Sequence, residues 1–124
     1  MMMAMSAFAA AEERIKLNFN GETAVVKMFD NAASQEFMAQ LPMTLTFEDY
    51  ASNEKIAYLP KKLTQGLRNG GNGDFTYYSP WGNLAIFYKG MGVSTVVHLG
   101  VIESGKDKLA AQRGKFTVQI EKVG

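Results

Sequence analysis

Apolar and polar residues alternate with a period of two through much of this chain. In "RIKLNF", Arg14 to Phe19, the residues Ile15, Leu17 and Phe19 fall on one face, the pattern of a half-buried β-strand. Asn20-Gly21 follows, and because both residues tolerate positive φ the pair predicts a tight hairpin. The return strand "ETAVVKMF" turns Ala24, Val26 and Met28 inward. "MTLTFEDY" sets Met43, Leu45 and Phe47 against Thr44, Thr46 and Glu48, and "KFTVQIEKV" turns Phe116, Val118 and Ile120 inward. "KIAYLP" reads as a short strand stopped by Pro60, and "FTYYS" and "NLAIFYK" flank a turn at Pro80-Trp81-Gly82. Leu84 to Tyr88 is apolar on both faces, which predicts a strand covered on both sides. "STVVHLGVIES" predicts a further long strand.

Two stretches break this period. Asp30 or Asn31 is placed to cap a helix over 31–41 that carries Ala33, Phe37, Met38 and Leu41 on one face and ends at Pro42. Ser104 is placed to cap a second helix over 105–112, with Asp107 in its first turn and Gly114 as its stop. Between the strands, "TQGLRNGGNGD" over 64–74 carries four glycines and two asparagines and predicts a mobile surface loop. It lacks the Lys and Ser/Thr that a phosphate-binding loop needs after its last glycine. About eight strands and two short helices make a mainly β chain, and a closed barrel is the architecture that removes the strand edges such a pattern would otherwise expose.

Composition narrows the function classes. At 124 residues the chain fits a single core. Thirteen Lys and Arg against twelve Asp and Glu leave a formal charge of +1, without the basic surplus that nucleic-acid binding requires. Zero cysteines excludes thiol chemistry, disulfides and cysteine-based zinc sites, and His98 as the single histidine excludes a two-histidine metal site. No EF-hand spacing or paired-acid motif is present, and the sequence implies no cofactor. No apolar run is long enough to span a membrane. Ala7-Phe8-Ala9 fits the small-x-small form of an export cleavage site ahead of Glu12-Glu13-Arg14, although no basic residue precedes it. Residues 1–13 are therefore read as an N-terminal extension, either the remnant of an export signal or a start-site artefact. An exported and a cytoplasmic location both stay open, and 14–124 forms the barrel domain.

The order of elements resembles the cyclophilin fold, a barrel with a helix over each end. "VVKMFDNAASQEFMAQL" is similar to that family's second strand and first helix, through Phe29, Phe37 and Leu41. "NLAIFYK" resembles its Phe-rich core strand. "VVHLGVIESGKDKLAA" resembles the strand that runs into its second helix, through Val96, Val97, Gly100, Ile102 and Gly105. The resemblance covers roughly residues 14 to 122. It is closer still to a compact branch of bacterial cyclophilin-like domain proteins of uncharacterised function, whose members carry runs similar to "QLPMTLTFEDY", "EKIAYLP" and "GDFTYYSPWGNLAIFY". What the resemblance implies for catalysis is limited by departures. The isomerase uses a Phe-His-Arg segment, and the matching stretch here, Lys55 to Leu63, has neither arginine nor histidine. "GGNGDFT" only echoes the isomerase's Gln-Gly-Gly-Asp-Phe-Thr; His98 follows the Val-Val pair instead of preceding it, and Trp81 precedes the core strand instead of following it. No isomerase site residue carries over.

The candidate chemistry is thus aromatic. Trp81 sits on a Pro-Trp-Gly turn, where its ring either lids a barrel end or lines a ligand site. Tyr77 and Tyr78 face opposite ways on a strand, so one of them belongs to the core, and Tyr58 in "AYLP" is a further candidate. Arg68 on the glycine-rich loop is a candidate contact for an anionic or carbonyl ligand. His98 reads as a structural imidazole donating to a neighbour, or as a lone polar group in a pocket. The expected site gathers Tyr58, Tyr77 or Tyr78, and Trp81 beside the 64–74 loop as a mobile cover. The function classes, in order, are a monomeric non-catalytic binding domain for a small molecule or peptide, a degenerate prolyl cis-trans isomerase, and an enzyme of other chemistry using Glu48, Asp49, Glu54 or Glu103.

Overall fold

The computed structural model describes residues 12–89 and 95–124; the stretch with the cleavage-site pattern, Ala7-Phe8-Ala9, lies outside them. Eight strands run β1 (Arg14–Phe19), β2 (Glu22–Met28), β3 (Met43–Tyr50), β4 (Glu54–Tyr58), β5 (Phe75–Tyr78), β6 (Asn83–Phe87), β7 (Val97–Ser104) and β8 (Phe116–Lys122). They close into a barrel in the order β1-β2-β7-β5-β6-β4-β3-β8, and every neighbouring pair is antiparallel, including the closing pair β1–β8. Among the described residues two helices, α1 (Ala32–Met38) and α2 (Lys106–Ala110), complete it. The mainly β, closed-barrel reading of the alternation is what the chain adopts. The hairpin turn is also where the pattern put it, with Asn20 and Gly21 both at positive φ.

The strand alternation fills the barrel. Ile15, Leu17, Phe19, Ala24, Val26, Leu45, Phe47, Val118 and Ile120 belong to one buried cluster with Phe75, Tyr77, Leu84 and Ile86. The strand β6 is buried at every residue, because Leu84 and Ile86 enter the barrel while Ala85 and Phe87 join a second, outer cluster with Ile56 and Val96. Helix α1 seals one end: Phe37 is fully buried and meets Phe75 edge-on at 5.7 Å. Asn31 provides its cap, the side chain accepting from the Ser34 N–H at 2.8 Å. The chain leaves the helix after Met38, with Ala39, Gln40 and Leu41 N–H bonded back to helical carbonyls, so it ends before Pro42 acts.

Helix α2 sits at the other end, where Leu109 is buried. It differs from expectation at its start. Its cap is Gly105 at φ 87, with no side-chain cap, and Ser104 stays in β7. The reason is a close approach: a Cβ on Gly105 would lie 2.6 Å from both Ala24 Cα and Thr23 O, so only glycine lets α2 rest on β2. At this same end Lys55, fully buried, donates to Gln112 O at 2.6 Å and pairs with Asp49 at 3.0 Å. Its ammonium lies 5.0 Å from the centre of the Tyr88 ring and 5.6 Å from that of Phe116.

The 64–74 segment is a second difference. It is tethered along its length, where a mobile cover was expected. The Glu36 carboxylate accepts from Thr64 N, Gln65 N and Thr64 Oγ1 at 2.7, 2.8 and 2.9 Å. Farther on, Asn69 and Gly73 bond to His98, and a Cβ on Gly73 would stand 2.5 Å from Gly100 O. Of the glycines that signal flexibility in the sequence, Gly71 and Gly73 serve here to let backbone lie flat on β7, and Gly66 lets it approach Ala32 and Ala33. Among the described residues no helix is long and apolar enough to cross a membrane.

Candidate functional site

The outward faces of β4, β6 and β5 carry a small grid fixed by register. Tyr58, Asn83 and Tyr78 stand opposite one another in one row, and Ile56, Ala85 and Thr76 in the next. Glu54 pairs with Phe87 on one side and Tyr50 of β3 on the other. Such a surface would normally be polar. Here it is apolar at its centre, because Ile56, Ala85, Phe87 and Val96 pack on it with Tyr78 against them.

Trp81 makes this surface a cavity. The β5–β6 turn is closed by Trp81 and Gly82 N–H bonding to Tyr78 O, and Gly82 takes φ 73 with Lys62's stem where a Cβ would be. The indole folds back and is held edge-on by two rings, Tyr78 at 5.4 Å and Tyr50 at 5.7 Å, the favoured geometry for aromatic pairs. It still shows 46% of its surface. The cavity beside it, of about 370 Å³, is lined by Tyr50, Glu54, Ile56, Tyr78, Trp81, Asn83, Phe87, Thr95 and Val96. That volume lies within the range of small-molecule sites.

Two polar groups in its wall lack partners among the described residues. Asn83 is 2% exposed; its amide N–H donates to Leu84 O at 2.9 Å, which fixes the orientation of the amide, and its Oδ1 has no partner. The Glu54 carboxyl is pushed above its usual range by burial, and among the described residues no cation pairs with it to hold it down. Neither residues 1–11 nor 90–94 contain a Lys or Arg.

The sequence-predicted residues divide. Trp81 and Tyr78 line the cavity. Tyr77 points into the barrel at 1% exposure, where its hydroxyl accepts from Leu63 N–H at 3.2 Å; of the tyrosine pair it is the core member. Tyr58 is on the outer face, 55% exposed, but outside the cavity wall. His98 is a packing and anchoring residue: buried, it accepts at Nδ1 from Gly73 N–H and lines neither this cavity nor its neighbour. Arg68 lines that neighbouring depression, of about 330 Å³, with Leu67, Asn69, Thr95 and Val96. Thr95 and Val96 thus form a ridge shared by the two, and the 64–74 loop borders the second, not the first.

Sequence reasoning missed Tyr50 and Asn83 and weighed Glu54 as a catalytic acid or a solvated strand-end charge, not as part of a binding wall. The signal for Tyr50 and Glu54 was the β3–β4 hairpin that brings them opposite each other. For Asn83 it was a polar residue opening an otherwise apolar strand.

A model of the cyclophilin-like family matches residues 17–121. Among solved structures, the solution structure of the hypothetical protein AF2241 from Archaeoglobus fulgidus is similar, with a TM-score of 0.66 at 17% identity, covering 90% of this chain and 95% of that one. No curated protein matches the chain. At that identity the solved neighbour speaks for the barrel alone. The family match, which takes in all eight strands and both helices at least in part, carries more, and this chain belongs to the cyclophilin-like family.

Proposed function

We propose that this domain binds a small molecule or a peptide side chain in the outer-face cavity and catalyses no reaction there. The observation that carries the reading is Trp81: a large ring clamped edge-on by Tyr50 and Tyr78, yet nearly half exposed above an apolar floor. Aromatic surface held this rigidly is suited to contact a ligand at little entropic cost. The wall contains no lysine, arginine or histidine, which speaks against the runner-up reading of a degenerate prolyl isomerase, a reaction the resemblance ties to an arginine. Arg68, Thr95 and Val96 border the adjoining depression and give a longer ligand, such as a peptide, a place to continue.

Trp81 is the single tryptophan of the chain, so its fluorescence reports on the site directly. A library screen by thermal shift should yield compounds that also change Trp81 emission, and Trp81→Ala should abolish their stabilising effect. Hits that stabilise Trp81→Ala as well as the parent would place the binding elsewhere and overturn the proposal.

A further inference from the structure

We infer that the ligand presents a protonated amine or guanidinium to the Trp81 cavity, with an N–H directed at Asn83. The inference rests on the binding reading above and adds the chemical class of what is bound. Three features of the wall agree on it.

The first is the ring set. Tyr50, Tyr78 and Trp81 border one side of the cavity with two T-shaped contacts between them. Aromatic faces carry negative quadrupole density and attract a cation lying within about 6 Å. The second is Glu54. Its carboxyl stands in the same wall, on an outward position of β4 beside apolar Ile56 and Phe87. Six acidic residues elsewhere in the chain have a cation, among them Asp49 with Lys55, Asp74 with Lys106, Glu103 with Arg14 and Glu121 with Lys16; of the acids that have none among the described residues, Glu54 is the one that lines the cavity. Glu54 has no such cation, and Lys62, whose stem lies under Gly82, is not part of the wall. A carboxylate kept without a cation beside apolar surface is poised to take one from a ligand.

The third is independent of charge. Asn83 Oδ1 is a buried acceptor without a donor, and by strand parity its side chain stands on the cavity face with Ala85 and Phe87. A buried unpartnered acceptor is costly and uncommon in native proteins. It asks for an N–H or O–H donor. A quaternary ammonium satisfies the rings and Glu54 but not Asn83, and a carboxylate satisfies none of the three. The chemistry that answers all of them is a cation that still carries N–H groups, whether on a free small amine or on a lysine or arginine side chain.

The test is a Trp81 fluorescence titration of the whole chain with matched probes: benzylammonium, benzylguanidinium, benzyltrimethylammonium, benzyl alcohol and phenylacetate. Benzylammonium or benzylguanidinium should bind about tenfold tighter than benzyl alcohol, and phenylacetate weakest, as expected when charge-assisted hydrogen bonds and cation–π contact add to ring packing. Glu54→Gln should erase the advantage over benzyl alcohol. Asn83→Leu should weaken benzylammonium several-fold while leaving benzyltrimethylammonium unchanged. N-acetyl-lysinamide and N-acetyl-argininamide, set against the benzyl cations, distinguish a peptide source from a free amine. If benzyl alcohol binds as tightly as the cations, or Glu54→Gln leaves the ranking intact, the cation inference fails and the aromatic-site reading stands. If no probe of any charge perturbs Trp81 while unrelated screening hits do, the inference fails in the same way. If nothing perturbs Trp81 at all, both fall.

Discussion

Asn69 acts as a one-residue strand for His98. Its Oδ1 accepts from the His98 backbone N–H at 2.8 Å, and its Nδ2 donates to His98 O at 3.2 Å. This reproduces both hydrogen bonds of an antiparallel partner where β7 begins. The imidazole completes the clasp by accepting from Gly73 N–H at 3.2 Å, so one residue of β7 holds the glycine-rich segment at two points.

Replacing Asn69 by Ala leaves the His98 N–H unpaired in a part-buried position, at a cost of about 1–3 kcal/mol. Amide exchange should then accelerate at His98 and Gly73 ahead of the strands β1, β2 and β8, and thermal stability should fall. Unchanged exchange at His98 in Asn69→Ala would show that the clasp contributes nothing.

This clasp also marks the limit of what the sequence discloses. Period-two alternation is a local signal, and it located β1, β2, β3 and β8 because each is buried on one face. The two-sided burial of β6 was legible for the same reason, since "LAIF" leaves no polar face. A loop's anchoring is set by partners distant in sequence: Glu36 for Thr64, His98 for Asn69, Gly100 for Gly73. Gly66, Gly71 and Gly73 therefore look like freedom when they are close contacts. The candidate site was half legible. Trp81 on its turn stands out as a large ring without an obvious interior place, while alternation places one of Tyr77 and Tyr78 outside the core without saying which. Tyr50 and Asn83 required the strand order β3-β4-β6-β5, which no local pattern contains.

Acid should release the same loop at its other tether. Burial alone would raise the Glu36 carboxyl, but hydrogen bonds from Thr64 and Gln65 N–H outweigh it and leave it below the usual range. Asp49 behaves alike: burial opposes, and the Tyr88 hydroxyl and Lys55 ammonium prevail. A carboxyl depressed in the folded state stabilises above its unfolded pKa, and that contribution is lost as pH falls through the folded value. Stability should therefore be flat near neutrality and decline below about pH 4. Glu36→Gln should flatten part of that decline. An identical acid profile in the variant would remove Glu36 from the account.

At the α2 end, the Tyr88 hydroxyl donates to Asp49 at 2.7 Å, and that bond, then burial and the Asp49 charge, push its pKa up to about 12. Asp49→Asn removes the charge that disfavours the phenolate, so Tyr88 should titrate closer to an ordinary tyrosine. A pH titration of the tyrosine ring carbons by NMR resolves it. No change at Tyr88 would mean that its hydroxyl is not held by Asp49.

Asn83 offers a stability test separate from any ligand. Exchanging its unpartnered acceptor for an apolar side chain of similar size removes a desolvation cost of about 1–3 kcal/mol and forfeits one hydrogen bond to Leu84 O worth about 1 kcal/mol. Asn83→Leu should thus match or exceed the parent's melting temperature in the absence of ligand. A clear loss of stability would mean that Asn83 serves the fold.

Prolyl isomerisation is the last activity to test, because the fold invites it. The barrier is about 18–20 kcal/mol, and the resemblance implies that an arginine on the strand matching β4 lowers it by hydrogen bonding around the prolyl amide. In this chain the outward positions of β4 are Glu54, Ile56 and Tyr58. Lys55 is turned into the barrel and spent on Asp49 and Gln112. Lys61 and Lys62 are exposed beyond the strand and outside the cavity wall. Neither presents the planar fork of a guanidinium, since an ammonium is a point donor. A proline-peptide assay should accordingly run at the uncatalysed rate, and Lys61→Ala and Lys62→Ala should not change it. Turnover abolished by either substitution would overturn the expectation and move the chemistry from the aromatic cavity to the β4 exit.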